Sequence, residues 1–185
     1  MKANESLLDL VLETQILDRV PRSGYFLRGV PDPESVTEHS WHVLFLVWAL
    51  GSREDSVDLT RAMEIALLHD IAEVRIGDLP RTAGRYFDKG AKARAETAAM
   101  AEILAPLPDR SRKLYAEYCA AETAEARLVK ACDKLQLMIK VLVYETWGAG
   151  GLGEFWENEA NFPSSDFQSV RELTEELRER YRQRA

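Results

Sequence analysis

The stretch Ile65-Ala66-Leu67-Leu68-His69-Asp70-Ile71-Ala72-Glu73-Val74, continued by Arg75-Ile76-Gly77-Asp78-Leu79-Pro80, decides how the chain is read. Apolar side chains fill nearly every other position from Ala62 to Val74, the pattern of a helix buried around most of its circumference. Into that pattern are set one histidine and two carboxylates. At about 100° per residue, Glu73 lies roughly 40° and Asp70 roughly 100° from His69, so the three share one arc. Ionised carboxylates in apolar surroundings are costly unless a cation or hydrogen bonds compensate them. A buried His–Asp pair with a surface glutamate closing the last turn would account for these residues. A metal-centred site accounts for them better: the doublet can bind a cation while Glu73, one turn on, faces whatever the cation holds.

A chain of 185 residues suits one domain with a full core, here residues 1–185. Its 46% hydrophobic and 30% charged content is that of an ordinary globular protein. The net charge of -7 argues against a nucleic acid polymer as partner, whose binder would be basic. It leaves room for a small phosphorylated ligand neutralised locally by a divalent cation and an arginine. Cys119 and Cys132 have no CxxC spacing and read as buried thiols, which fits a reducing, cytoplasmic setting. No apolar run approaches the ~18 residues of a membrane span, and no signal-peptide pattern opens the chain.

Residues 5–19 carry leucines, Val11 and Ile16 at helical spacing, and Arg19 ends that helix before Val20-Pro21. An arginine there answers the helix dipole, or points a guanidinium at a phosphate. Residues 20–34 hold three prolines and two glycines and read as an irregular connection. Ser35-Val36-Thr37-Glu38 has capping-box spacing, so a helix is expected from Ser35, with Gly51 as its stop. His39 and His42 both fall in its first turns, and one of them is expected to be a ligand. The four tryptophans read as core or interface packing. Gly77 and Pro80 hold Asp78 close to the end of the central helix. Basic residues 81–91 form a loop-like rim, and helices follow near 91–105 and 109–121.

Residues 124–147 form a second strongly apolar helix with Asp133 in its middle. A carboxylate in that place needs a partner: Lys130 at i−3, or a metal. Gly148–Gly153 is a connector, and Ser165-x-x-Gln168 caps a terminal helix over about 165–183. No strand-like alternation occurs, so the fold class is all-α.

Four ordered blocks now stand together: Glu34-Ser35-Val36-Thr37-Glu38-His39-Ser40, Leu68-His69-Asp70-Ile71-Ala72-Glu73, Gly77-Asp78-Leu79-Pro80 and Val129-Lys130-Ala131-Cys132-Asp133-Lys134-Leu135. In order and spacing the chain resembles the HD-domain metal-dependent phosphohydrolases, in the branch of the 5'-deoxynucleotidases, over a core of about 19–145. The resemblance implies a compact helical fold and a homodimer. It implies one divalent ion (Mn²⁺, Co²⁺, Ni²⁺, Fe²⁺ or similar) held by His39, His69, Asp70 and Asp133. It further implies Glu73 and Asp78 as catalytic carboxylates and Arg19 as the residue orienting the substrate phosphate. Val20, Asp70 and Asp78-Leu79-Pro80-Arg81 would line the nucleotide pocket. Where the family carries tryptophan and threonine beside the sugar, this chain has Val20 and Arg81.

The expected reaction is hydrolysis of a nucleoside 5'-monophosphate, with a 2'-deoxyribonucleotide as the implied substrate. One of Glu73 and Asp78 would activate water and the other protonate the leaving oxygen. No histidine follows His69, which argues against a second, histidine-built metal site. The rival from another class is a metal-dependent nucleotide sensor without turnover; the presence of two acid–base carboxylates argues against it.

Overall fold

In a computed structural model describing residues 2–184, the chain runs through α1 (Leu7–Thr14), α2 (Ser23–Phe26), α3 (Val36–Gly51), α4 (Leu59–Leu68), α5 (Glu73–Ile76), α6 (Ala91–Ile103), α7 (Asp109–Ala120), α8 (Ala124–Thr146), α9 (Gly153–Glu157) and α10 (Gln168–Arg182). Among the described residues no strand forms, and the fold is all-α. One antiparallel bridge, Pro21 to Ser35, ties the irregular connection to the start of α3.

Helix α3 begins where its capping box places it. Ser35 Oγ accepts the Glu38 N–H, and the Glu38 carboxylate takes the Ser35 N–H at 2.7 Å. Three helices then make the core. Val43 and Val47 of α3, Ile65 of α4, and Leu128, Leu135 and Met138 of α8 are all fully buried. Gly51 serves this packing rather than a left-handed stop, since α3 includes it. A Cβ there would lie 3.0 Å from both Leu128 Cδ2 and Leu59 Cδ1, so a larger residue would have to push these leucines back.

The central segment departs from a continuous helix. Helix α4 ends at Leu68, and residues 69–72 form a turn before α5. No glycine or proline breaks it. Instead the His69 side chain bonds the Ala66 carbonyl (Nδ1···O 2.7 Å), and the backbone tightens. Glu73 N–H donates to Asp70 O at 3.0 Å, and Val74 N–H to Ile71 O at 3.1 Å. Such i→i−3 bonds bring side chains three apart into eclipse, so Glu73 stands over Asp70. Gly77, at φ 72°, then turns the chain away as expected.

A second departure lies at the C-terminus. Helix α10 starts at Gln168 with no side-chain cap, and Ser165 Oγ accepts the N–H of Phe167 instead. Val170 and Leu177 bury its apolar stripe. Of the four tryptophans only Trp156 is buried; Trp41 and Trp48 flank Phe45 in an exposed stripe on α3, and Trp147 is exposed.

The turn that follows α4 is anchored from outside. Arg75 of α5 holds Glu13 of α1 with two contacts, Nε to Oε1 at 2.6 Å and Nη2 to Oε2 at 3.0 Å, and both side chains are nearly out of solvent. Arg75 Nη1 also reaches Glu102 Oε2 at 2.5 Å, so loss of Glu13 removes two charge-assisted contacts without leaving the guanidinium alone. Glu13→Ala is expected to cost about 2 kcal/mol of stability in urea unfolding, whereas the double variant with Arg75→Met recovers part of that loss.

Candidate metal centre and cleft

Three elements deliver the donors. His39 projects from the second turn of α3, His69 and Asp70 from the turn closing α4, and Asp133 from the middle of α8. His39 Nε2 lies 3.5 Å from His69 Nε2, 3.4 Å from Asp70 Oδ2 and 3.2 Å from Asp133 Oδ1, and His69 Nε2 lies 3.2 Å from Asp70 Oδ2. His39, His69 and Asp70 thus offer ligand atoms within 4.8 Å of one another, and Asp133 reaches the same His39 nitrogen. Both imidazoles are buried. His42 turns elsewhere, its Nδ1 2.9 Å from the Glu38 carbonyl oxygen.

The hydrogen bonds behind the two imidazoles decide where their lone pairs point. A carbonyl can only accept, so His69 Nδ1 donates to Ala66 O. On the other side, Lys140 Nζ lies 2.9 Å from Glu34 Oε2, and the Gln136 amide NH₂ donates to both Glu34 oxygens at 3.1 and 3.0 Å. That leaves Gln136 Oε1 facing His39 Nδ1 at 2.6 Å, so His39 Nδ1 carries the proton. Both Nε2 atoms therefore bring lone pairs to a place already occupied by carboxylate oxygens. Once His39 Nε2 gives up the proton it shares with Asp70 and Asp133, four electron-pair donors spaced 3.2–3.5 Å from one another remain, a set that fits a divalent cation.

Titration follows the same crowding. Burial and the charge of Arg22 press the His39 imidazole down, yet hydrogen bonding to Asp133 and Asp70 outweighs them and raises it to about 9. Burial opposes ionisation of Asp70 and Asp133, but His69 and His39 hold both carboxyls below their ordinary values. Glu73 goes the other way. Burial, then the nearby charges of Asp70 and Asp78, push its carboxyl up to about 9. Its Oε2 is buried with no hydrogen-bond partner among the described residues.

These groups open into a cleft of about 1040 Å³. His69, Asp70, Glu73, Asp78 and Asp133 line it, as do Leu79, Pro80 and Arg81. Arg19 and Val20 do not. Arg19 is exposed at the end of a 3-10 turn, and the chain then crosses the start of α3, with the Val36 N–H donating to Val20 O at 2.9 Å. That crossing delivers the next arginine. Arg22 Nη1 lies 2.8 Å from Asp78 Oδ1 and 3.7 Å from Asp70 Oδ2, and these carboxylates hold it firmly charged despite burial. Asp78 is engaged at both oxygens: Oδ2 accepts from the Ser23 N–H at 2.6 Å and from Ser23 Oγ at 2.9 Å. Sequence reasoning thus passed over Arg22, Glu34 and Gln136. The signals available were a second arginine beside Pro21 and the single glutamine of α8, set between Leu135 and Leu137 in its most apolar stretch.

A family model described as HD domain matches residues 14–171. The chain belongs to the HD-domain family. Among HD-domain relatives, 5'-deoxynucleotidase HDDC2 of Danio rerio is 38% identical over 133 residues, covering 70% of this chain and 64% of that protein. The chain thus spans just under two thirds of that relative's length. 5'-deoxynucleotidase HDDC2 of Homo sapiens is 34% identical over 161 residues, covering 84% of this chain and 77% of the human protein. The HD fold is shared with a solved conserved hypothetical protein from Pyrococcus furiosus, at TM-score 0.81 and 36% identity over 93% of this chain and 99% of that one.

Two measurements probe the groups around the centre. Gln136→Leu removes the acceptor that orients His39, and is expected to weaken Mn²⁺ binding about tenfold to a hundredfold in calorimetric titration. In EDTA, folded Glu73 keeps a proton that the unfolded chain releases above pH 4.5, so its contribution to stability falls as pH rises from 4.5 to about 9. Glu73→Gln is expected to lose that decline, so its stability advantage over the parent chain grows between pH 5 and pH 8 in urea unfolding.

Proposed function

We propose that this HD-domain protein is a metal-dependent phosphomonoesterase that hydrolyses nucleoside 5'-monophosphates, with 2'-deoxyribonucleotides as the preferred class. The observation that carries the reading is the meeting of two imidazole nitrogens and two aspartate oxygens beside a buried carboxyl without a partner, all at one cleft. His39, His69, Asp70 and Asp133 would hold the ion, with Mn²⁺, Co²⁺, Ni²⁺ and Fe²⁺ matching this mixed set. Such an ion, when bound, polarises a phosphoryl oxygen and makes water more acidic.

The remaining work falls to the chain itself. Glu73 is the acid–base group, because its raised carboxyl can hold and pass a proton at Oε2 near neutral pH. Asp78 fixes Arg22 and the Ser23 turn, and Arg22 in turn faces Asp70, so this arginine takes the orienting role that the resemblance assigned to Arg19. Leu79, Pro80 and Arg81 line the cleft together with Phe155, and this wall receives the nucleoside. The 5'-deoxynucleotidase relatives support the deoxy preference.

A homodimer belongs to the same reading, its contact formed by the exposed Trp41, Phe45 and Trp48 stripe. So does a cytoplasmic setting, which the free thiols Cys119 and Cys132 suit. No described helix is long and apolar enough to cross a membrane.

Phosphate release from a panel of ribo- and deoxyribonucleoside 5'-monophosphates, with Mn²⁺ or Co²⁺ and again with EDTA, tests the proposal. Release that depends on metal is expected, and Glu73→Ala should bind metal normally while losing about 10²-fold or more in turnover. Thermal stabilisation by nucleotide without any phosphate release would instead mark a sensor.

A further inference from the structure

Charge accounting in the cleft leaves the substrate phosphate with one orienting cation, Arg22, that two aspartates already claim. Asp70, Asp133 and Asp78 bring three negative charges to the centre, which a divalent ion and Arg22 cancel. A phosphate ester arrives with up to two more. Arg22 is already shared between Asp78 and Asp70. Lys92 is paired with Glu96 at 3.3 Å. Arg81 and Lys89 are exposed on the segment leading away from the centre.

Lys130 differs from all of these. It lines the cleft, is half-buried, and has no carboxylate within 4.0 Å among the described residues. It stands one helical turn before Asp133 on α8, so the two share a face. It is not the partner of Asp133, whose carboxylate turns to His39. Its ammonium sits 3.9 Å from the centre of the Tyr118 ring, which itself meets His69 edge-on at 5.8 Å between centroids. A cation over an aromatic face gains some stabilisation but keeps its hydrogen-bond donors free. The ring thus seats a charged donor on the same tyrosine that packs against His69.

We propose that Lys130, seated on Tyr118, is a phosphate-binding residue of this cleft alongside Arg22, donating to the non-bridging oxygens of the phosphoryl group. This rests on the phosphomonoesterase reading and extends it. The predicted consequence is selective: Lys130 contributes to recognition of the phosphate and contributes nothing to the nucleoside.

The test is calorimetric titration of the Mn²⁺-loaded chain with inorganic phosphate, and separately with a 2'-deoxynucleoside lacking phosphate. Lys130→Met is expected to weaken phosphate binding about tenfold to a hundredfold, as for loss of one charge-assisted hydrogen bond. The deoxynucleoside and Mn²⁺ affinities should stay within about twofold of the parent's, a variation too small to reflect a lost hydrogen bond. Lys130→Arg, which keeps the charge and the ring contact, should restore most of the phosphate affinity. Unchanged phosphate binding in Lys130→Met overturns the assignment, as does an equal loss of deoxynucleoside affinity. If the Mn²⁺-loaded parent binds neither phosphate nor a deoxynucleoside monophosphate, the phosphomonoesterase reading falls with it. That outcome is distinct from a parent that binds phosphate and a Lys130→Met chain that binds it equally well.

Discussion

Two imidazole nitrogens and two carboxylate oxygens crowded within 3.2–3.5 Å of one another are the constraint on which this molecule is built. Burial and the mutual repulsion of the two carboxylates make that crowding costly. They stay together because the helices that carry them are welded by fully buried apolar side chains such as Val43, Ile65 and Leu135. The cost of that arrangement is met by the core and recovered when a cation arrives. Preorganisation of this kind is what a site needs if its geometry is to survive the loading and unloading of an ion.

Behind the centre, orientation is enforced by groups that never touch it. Lys140 fixes Glu34, Glu34 fixes the amide of Gln136, and Gln136 fixes the ring of His39. Each link is a donor meeting an acceptor that has no alternative role, so the order of atoms in the amide follows without ambiguity. His69 is held more simply, by a backbone carbonyl three residues back. The same contact ends α4 and folds Glu73 over Asp70, so a single side-chain bond both orients a ligand and sets the acid–base carboxyl in place.

What could be read in the sequence was whatever depends on local spacing. The capping box at Ser35, the apolar run of α8 and the isolated Asp133 all announce themselves within one or two turns of helix. His39, His69, Asp70 and Asp133 then meet, because helices of those lengths packed on one another leave few other places for polar groups. The break at His69 was not legible, because it arises from a side chain competing for a carbonyl and not from a breaker residue. Arg22 was hidden for a different reason. Which of two arginines enters the cleft depends on the Pro21–Ser35 bridge, a pairing between residues far apart in the chain. Gln136 and Glu34 are partners across a hundred residues, and no periodicity within α8 names Glu34.

Lys130, Asp133, Gln136 and Lys140 all belong to α8, spaced three, three and four apart, and so ride on one edge of a single rigid rod. Lengthening or shortening that rod by one residue inside the interval would swing part of the set through about a quarter-turn and uncouple it from the rest. The opposite edge carries Leu128, Leu135 and Met138, all sunk in the core, so the rod is held on both sides. A change of length is borne far more easily in the glycine-rich connector that follows.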